Sequence, residues 1–308
     1  MPINPIPKKN DEITEKSTKA KTYIMSEPLY SFDDIVLSDD TLEEIYGVIS
    51  YFNNKSLIFD KWGLGKVYHK HNSICVNLHG KSGTGKTMSA HAIANAIGMK
   101  LLIVNYSEIE SKYVGETSKN LVSLFEYAKR ENVIILFDEA DALLSKRVTS
   151  MNNATDVSVN QTRNVLLKLL DEYDGMILFT TNFLSNYDKA FLRRILFHIP
   201  FELPDANARK RLWKHYLVEE FPVVGNRENV ITQLSQSDGI TGADISNAVL
   251  KTAIKNAQNN SNGATVEDLL SEVEIIKATA SNLEHDQFEI STRKVSGEYV
   301  KDQLTKGF

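Results

Sequence analysis

Two short stretches hold the side chains best suited to chemistry. Gly80-Lys81-Ser82-Gly83-Thr84-Gly85-Lys86-Thr87 follows the apolar run 74–78 and opens a helical pattern over 86–97. This is the spacing G-x-x-x-x-G-K-[ST] between a strand and a helix, the setting in which such a loop wraps phosphates. The glycines let backbone N–H groups curl into an anion nest. The helix N-terminus adds the positive end of its dipole. Lys86 has the reach for β- and γ-phosphates, and the Thr87 hydroxyl suits Mg2+. Met88 follows directly on the helix and completes the predicted ATP-binding run.

The second stretch, Asp138-Glu139-Ala140-Asp141, closes the apolar run 133–137. A carboxylate at the C-terminal end of a buried parallel strand lies at the sheet edge where ligands bind. Asp138 is suited to holding Mg2+ together with Thr87, directly or through water. Glu139 is suited to polarising an attacking water. Adjacent carboxylates beside a phosphate loop fit hydrolysis better than binding alone.

The elements that must position these groups follow from apolar periodicity. Runs at 74–78, 101–104, 133–137, 176–180 and 197–201 read as strands, and helical patterns at 86–97, 117–130 and 161–172 separate them. Continuous apolar strands between helices predict a parallel sheet covered on both faces. The fold class is therefore α/β, a P-loop NTPase core with a small all-helical lid. The core is expected over 30–204. Its first helix lies within 30–59 and is capped by Asp40 or Thr41. Helices at 206–220, 230–236, 243–258 and 266–278 make the lid, 205–280. Residues 1–29 read as a polar flexible arm and 281–308 as a tail.

Composition narrows the function. The 308 residues are 42% hydrophobic and 24% charged, which is enough for a packed core. A net charge of −5 argues against a chain that mainly coats nucleic acid. The single cysteine, Cys75, allows no internal disulfide, and its apolar surroundings predict a buried, inert thiol. No run reaches the ~18 apolar residues of a membrane span, and the N-terminus lacks a signal-like stretch. A soluble, cytoplasmic protein is expected.

With these motifs in order, residues 32–258 resemble the AAA+ ATPases, and within them the classical branch that includes spastin, katanin and related protein remodellers. The resemblance implies several roles. Lys112, Tyr113, Val114 and Gly115 would form a pore loop that grips an extended polypeptide. Asn182, after the strand 176–180, would be the sensor that orients the lytic water. Arg193 matches an arginine finger acting on ATP in the neighbouring subunit. Many members carry a second finger after a Pro-Gly pair; Ile195-Leu196 stands there instead, so either Arg194 is the second finger or that finger is absent. The segment 239–245 resembles the branch's G-x-[ST]-G-A-D-[IL] and replaces the sensor 2 arginine of DNA-loading branches. Lys81-Ser82 stands where Pro-Pro is usual. The loop 145–160, with Lys146 and Arg147, resembles a second pore loop.

The resemblance thus implies a homo-hexameric, ATP- and Mg2+-dependent motor that threads a protein client through its pore, with or without an adaptor. A compact ring of this kind is similar to bacterial pachytene-checkpoint members, which remodel HORMA-domain proteins. The alternative is a nucleic-acid-linked AAA+ ATPase of the helicase-loader or transposition-regulator type, which the charge and the 239–245 segment disfavour.

Overall fold

The computed structural model describes residues 25–68, 73–105, 116–145, 154–182 and 187–286. At its centre is a six-stranded sheet: β1 (Met25–Ser26), β2 (Ile74–Gly80), β3 (Leu101–Asn105), β4 (Ile134–Asp138), β5 (Met176–Thr181) and β6 (Phe197–Phe201). The spatial order is β1-β3-β4-β5-β2-β6. Every neighbouring pair is parallel except β1 with β3. The expected α/β class is what the chain adopts. Because the strands run in parallel, Gly80, Asp138 and Thr181 all finish at one edge of the sheet.

Strands β2 to β5 alternate their side chains between two apolar layers. Cys75, Phe137 and Phe179 face one layer with α3 (Glu116–Glu131) and α5 (Ala154–Glu172). Val76, Leu136 and Leu178 face the other, with α1 (Asp39–Asn53) and α2 (Lys86–Ile97). Burial on both faces explains why these strands are apolar throughout rather than alternating. Cys75 lies in the first layer at 1% exposure, and burial pushes its thiol up to about 11. It is an inert core residue.

The remaining α-helices among the described residues are α4 (Asp141–Leu144), α6 (Lys189–Leu192), α7 (Ala206–Tyr216), α8 (Arg227–Leu234), α9 (Gly242–Gln258) and α10 (Val266–Asp286). Helices α7 to α10 share a separate apolar cluster around Trp213, Ile231, Ile245 and Leu269. Arg209 ties this part together at its root, donating to the carbonyls of Pro204 and Ser235 and to Asp238. Among the described residues, no helix is long and apolar enough to cross a membrane.

Several expected boundaries move, each for a local reason. Ser38, not Asp40 or Thr41, caps α1, because its hydroxyl accepts the Thr41 N–H at 3.3 Å. Thr41 instead donates to the Pro200 carbonyl and fastens α1 to β6. Met25–Ser26, expected in the arm, pairs with β3 as an edge strand. Helix α5 begins at Ala154, so the expected loop 145–160 is partly helix. Helix α10 continues to Asp286, past the boundary expected at 280. Helix α7 stops at Tyr216, four residues short of 220, and α8 starts at Arg227, three before 230.

Candidate functional site

Strand β2 ends and α2 begins across the loop Gly80–Gly85, and three of its glycines have left-handed φ. These are Gly80 at 151°, Gly83 at 79° and Gly85 at 98°. Two also lack room for a side chain. A Cβ on Gly80 would lie 2.1 Å from the Phe201 carbonyl oxygen, and one on Gly83 2.7 Å from Thr241 Oγ1. Backbone conformation and crowding therefore both require glycine. Gly85 is the N-cap of α2 and makes no side-chain capping bond, so the first amides of that helix remain for an anion.

Lys86 is buried at 8% exposure. Its ammonium donates to the carbonyls of Gly80 and Lys81, both at 2.8 Å, and to Asn182 Oδ1 at 3.0 Å. Burial lowers its pKa, and the nearby Asp141, Asp138 and Glu139 pull the other way. Three neutral oxygens and a set of carboxylates thus hold a cation under the loop.

The acidic strand end is equally constrained. Asp138 Oδ1 accepts the Thr87 hydroxyl at 3.0 Å and also the Thr180 hydroxyl. Glu139 follows in the left-handed region at φ 53°, which turns its exposed side chain away from the strand line. Its N–H donates to Thr180 Oγ1 at 3.0 Å. Asn182 is anchored from behind, its N–H donating to both carboxylate oxygens of Asp141 at 3.1 and 3.0 Å.

These groups open onto one cavity of about 790 Å³, a size ordinary for a small-molecule site. Ser82, Gly83, Thr84, Gly85, Lys86, Thr87 and Met88 line it with Asp138, Glu139 and Asn182. Gly80 and Lys81 lie outside the lining and serve through their carbonyls. The far wall comes from Leu37 and from Leu212, Tyr216 and Asn247 of the helical part. The helical part also touches the loop directly, Ala243 N donating to the Gly83 carbonyl at 3.3 Å. The segment 239–245 that carries this contact is a capping box, with Thr241 and Asp244 exchanging side-chain bonds at the head of α9.

A magnesium nucleotide fits this donor set. Uncapped amides and a buried ammonium meet phosphates, while the Thr87–Asp138 pair offers a hydroxyl and a carboxylate to a hard cation. Thr180 and Asp141 were not singled out from sequence. The only signal for Thr180 is a polar side chain ending an otherwise apolar strand.

The two arginines part company. Arg194 is locked to Asp171 of α5 by two bonds of 2.9 Å and donates to the Ala190 carbonyl at 3.0 Å. Arg193, its neighbour, is exposed and does not line the cavity. The expected pore residues Lys112, Tyr113, Val114 and Gly115 lie outside the described residues, as do Lys146 and Arg147.

Comparison with known proteins agrees with this geometry. The family described as "ATPase family associated with various cellular activities (AAA)" matches residues 76–203. A proteasome-activating nucleotidase of Saccharolobus islandicus is 30% identical over 293 residues, covering 91% of this chain and 69% of that protein. The mitochondrial inner membrane i-AAA protease supercomplex subunit YME1 of Saccharomyces cerevisiae is 30% identical over 260 residues. That match covers 82% of this chain and 32% of the yeast protein.

Proposed function

The chain belongs to the AAA ATPase family and hydrolyses ATP with Mg2+ as the partner ion, and from that premise we propose that it works as a homo-hexameric ring. The ring would remodel, unfold or disassemble a protein client by threading polypeptide through a central pore. The observation that carries the reading is the convergence of Lys86, Asn182 and the Thr87–Asp138 pair on one cavity roofed by the helical part.

Within it, Lys86 and the loop amides bind the phosphates, and Thr87 and Asp138 hold Mg2+, which supplies charge neutralisation on the phosphoryl oxygens. Glu139 takes the proton of the attacking water, and Asn182 orients that water. Leu37, Leu212 and Tyr216 give an apolar wall suited to a flat base. Arg193 acts on the nucleotide of the next subunit. Its exposure and its position outside its own cavity support that assignment. Arg194 serves within its own subunit through Asp171. Lys112, Tyr113, Val114 and Gly115 grip the client in a cytoplasmic ring, and a HORMA-domain protein is the specific client that the compact-remodeller resemblance suggests.

The test is Glu139→Gln. It should still bind ATP and form hexamers by light scattering, while phosphate release falls ~100-fold or more. Used as a trap, it should retain a polypeptide client in a pull-down, with a HORMA-domain protein as the specific candidate. Undiminished turnover, or a monomer in the presence of ATP, would sink the proposal.

A further inference from the structure

Thr180 is 2% exposed at the end of β5, one strand away from the acidic stretch. It nevertheless touches three successive residues there. Its hydroxyl donates to Asp138 Oδ1 and accepts the N–H of Glu139 at 3.0 Å, and its carbonyl accepts the N–H of Ala140 at 2.9 Å. A hydroxyl has one proton. Since that proton goes to the carboxylate, the lone pairs face the Glu139 amide, and the two bonds fix each other's direction.

The backbone explains why such a fastening is needed. Glu139 sits at φ 53°, a conformation that residues other than glycine adopt only when their surroundings hold them there. Glu139 is itself exposed, so no packing of its own side chain can do the holding.

We propose that Thr180 is a positioning residue for hydrolysis: its one hydroxyl sets the Asp138 carboxylate and pins the left-handed turn that aims Glu139. This rests on the reading of Glu139 as the base. Asp138 Oδ1 then receives two hydroxyl protons, from Thr87 and from Thr180, which orients its other oxygen. Supporting groups of this kind typically change activity 10–100-fold when removed.

The test compares Thr180→Val, which keeps the branched shape and loses the hydroxyl, with Thr180→Ser, which keeps it. Thr180→Val should lower kcat by about 10–100-fold with KM for ATP little changed. Thr180→Ser should restore kcat. Independently of turnover, amide hydrogen exchange at Glu139 should be slow in the parent and in Thr180→Ser, and fast in Thr180→Val. Parental kcat and parental exchange in Thr180→Val, with Glu139→Gln inactive, would overturn the role of Thr180 alone. An active Glu139→Gln would instead overturn the reading beneath it. Should Thr180→Val not fold, the parent decides: protection of the Glu139 amide supports the assignment, and exchange at the free-peptide rate refutes it.

Discussion

The sheet edge and Arg193, in the corner that follows α6, stand in opposite settings. At the sheet edge three groups are held by several contacts: Lys86 by three oxygens, Asp138 by two hydroxyls, the Asn182 amide by both oxygens of Asp141. At the corner, Arg194 folds back onto Asp171, and Arg193 projects into solvent. Groups that must meet a phosphate within their own chain gain from being fixed beforehand, since no reorganisation is then needed at the moment of reaction. Arg193 is exposed and lies outside the lining of its own cavity, which suits the role proposed for it towards a neighbouring subunit. Adjacent residues of one type thus follow two different rules.

The comparison is most exposed at Arg193. Arg193→Ala should lower turnover by ~10³-fold or more while leaving ATP binding intact. Mixing Arg193→Ala with Glu139→Gln protomers should recover activity, because some interfaces then pair an intact site with an intact arginine. No recovery on mixing would break the contrast. Asp141→Ala frees the Asn182 amide and should cost about 10–100-fold in kcat, with little change in KM, by steady-state phosphate release.

Arg194→Ala should leave turnover in place and lower stability by about 0.5–1 kcal/mol, a modest figure because both partners are a third exposed. Asp171→Ala should match it, and the double variant should be no worse than either, as a thermal-shift cycle would show.

The smallest effect concerns His91 on the rear of α2, whose Nδ1 accepts the Leu29 N–H at 3.2 Å. Burial lowers its pKa. Below the ordinary histidine range the unfolded chain binds a proton that the folded chain resists, so stability falls with pH. The melting temperature should drop between about pH 7.5 and pH 5.5, and less so in His91→Gln. His79, also shifted down by burial, acts in the same direction.

What could be read without a structure was whatever is local. The loop Gly80–Thr87 and the Asp138-Glu139 pair are contiguous, and each sits against an apolar strand whose identity its own residues declare. Thr180, Asp141 and Asp171 gain their meaning from strand order and helix packing, which bring together residues 41 positions apart in the first two cases and 23 in the third. No spacing rule encodes that. The start of α5 was missed for a different reason. Its first residues, Ala154-Thr155-Asp156-Val157-Ser158, show no apolar stripe, and the helix declares itself only where Leu166 and Leu170 enter the core. In the same way Ser38 displaced the expected cap of α1 because Thr41 was needed by the Pro200 carbonyl.

Gly83 brings the phosphate loop and the head of α9 together with no atom to spare, the space for a Cβ being taken by Thr241 Oγ1 and Ala243 Cβ. That contact is a fulcrum. Helix α9 has 17 residues, and a helix of that length is ~25 Å long. A tilt of a few degrees about Gly83 would swing its distant end by a couple of ångströms. A single missing methyl group thereby sets the phosphate loop against the short arm of a lever whose long arm is α9.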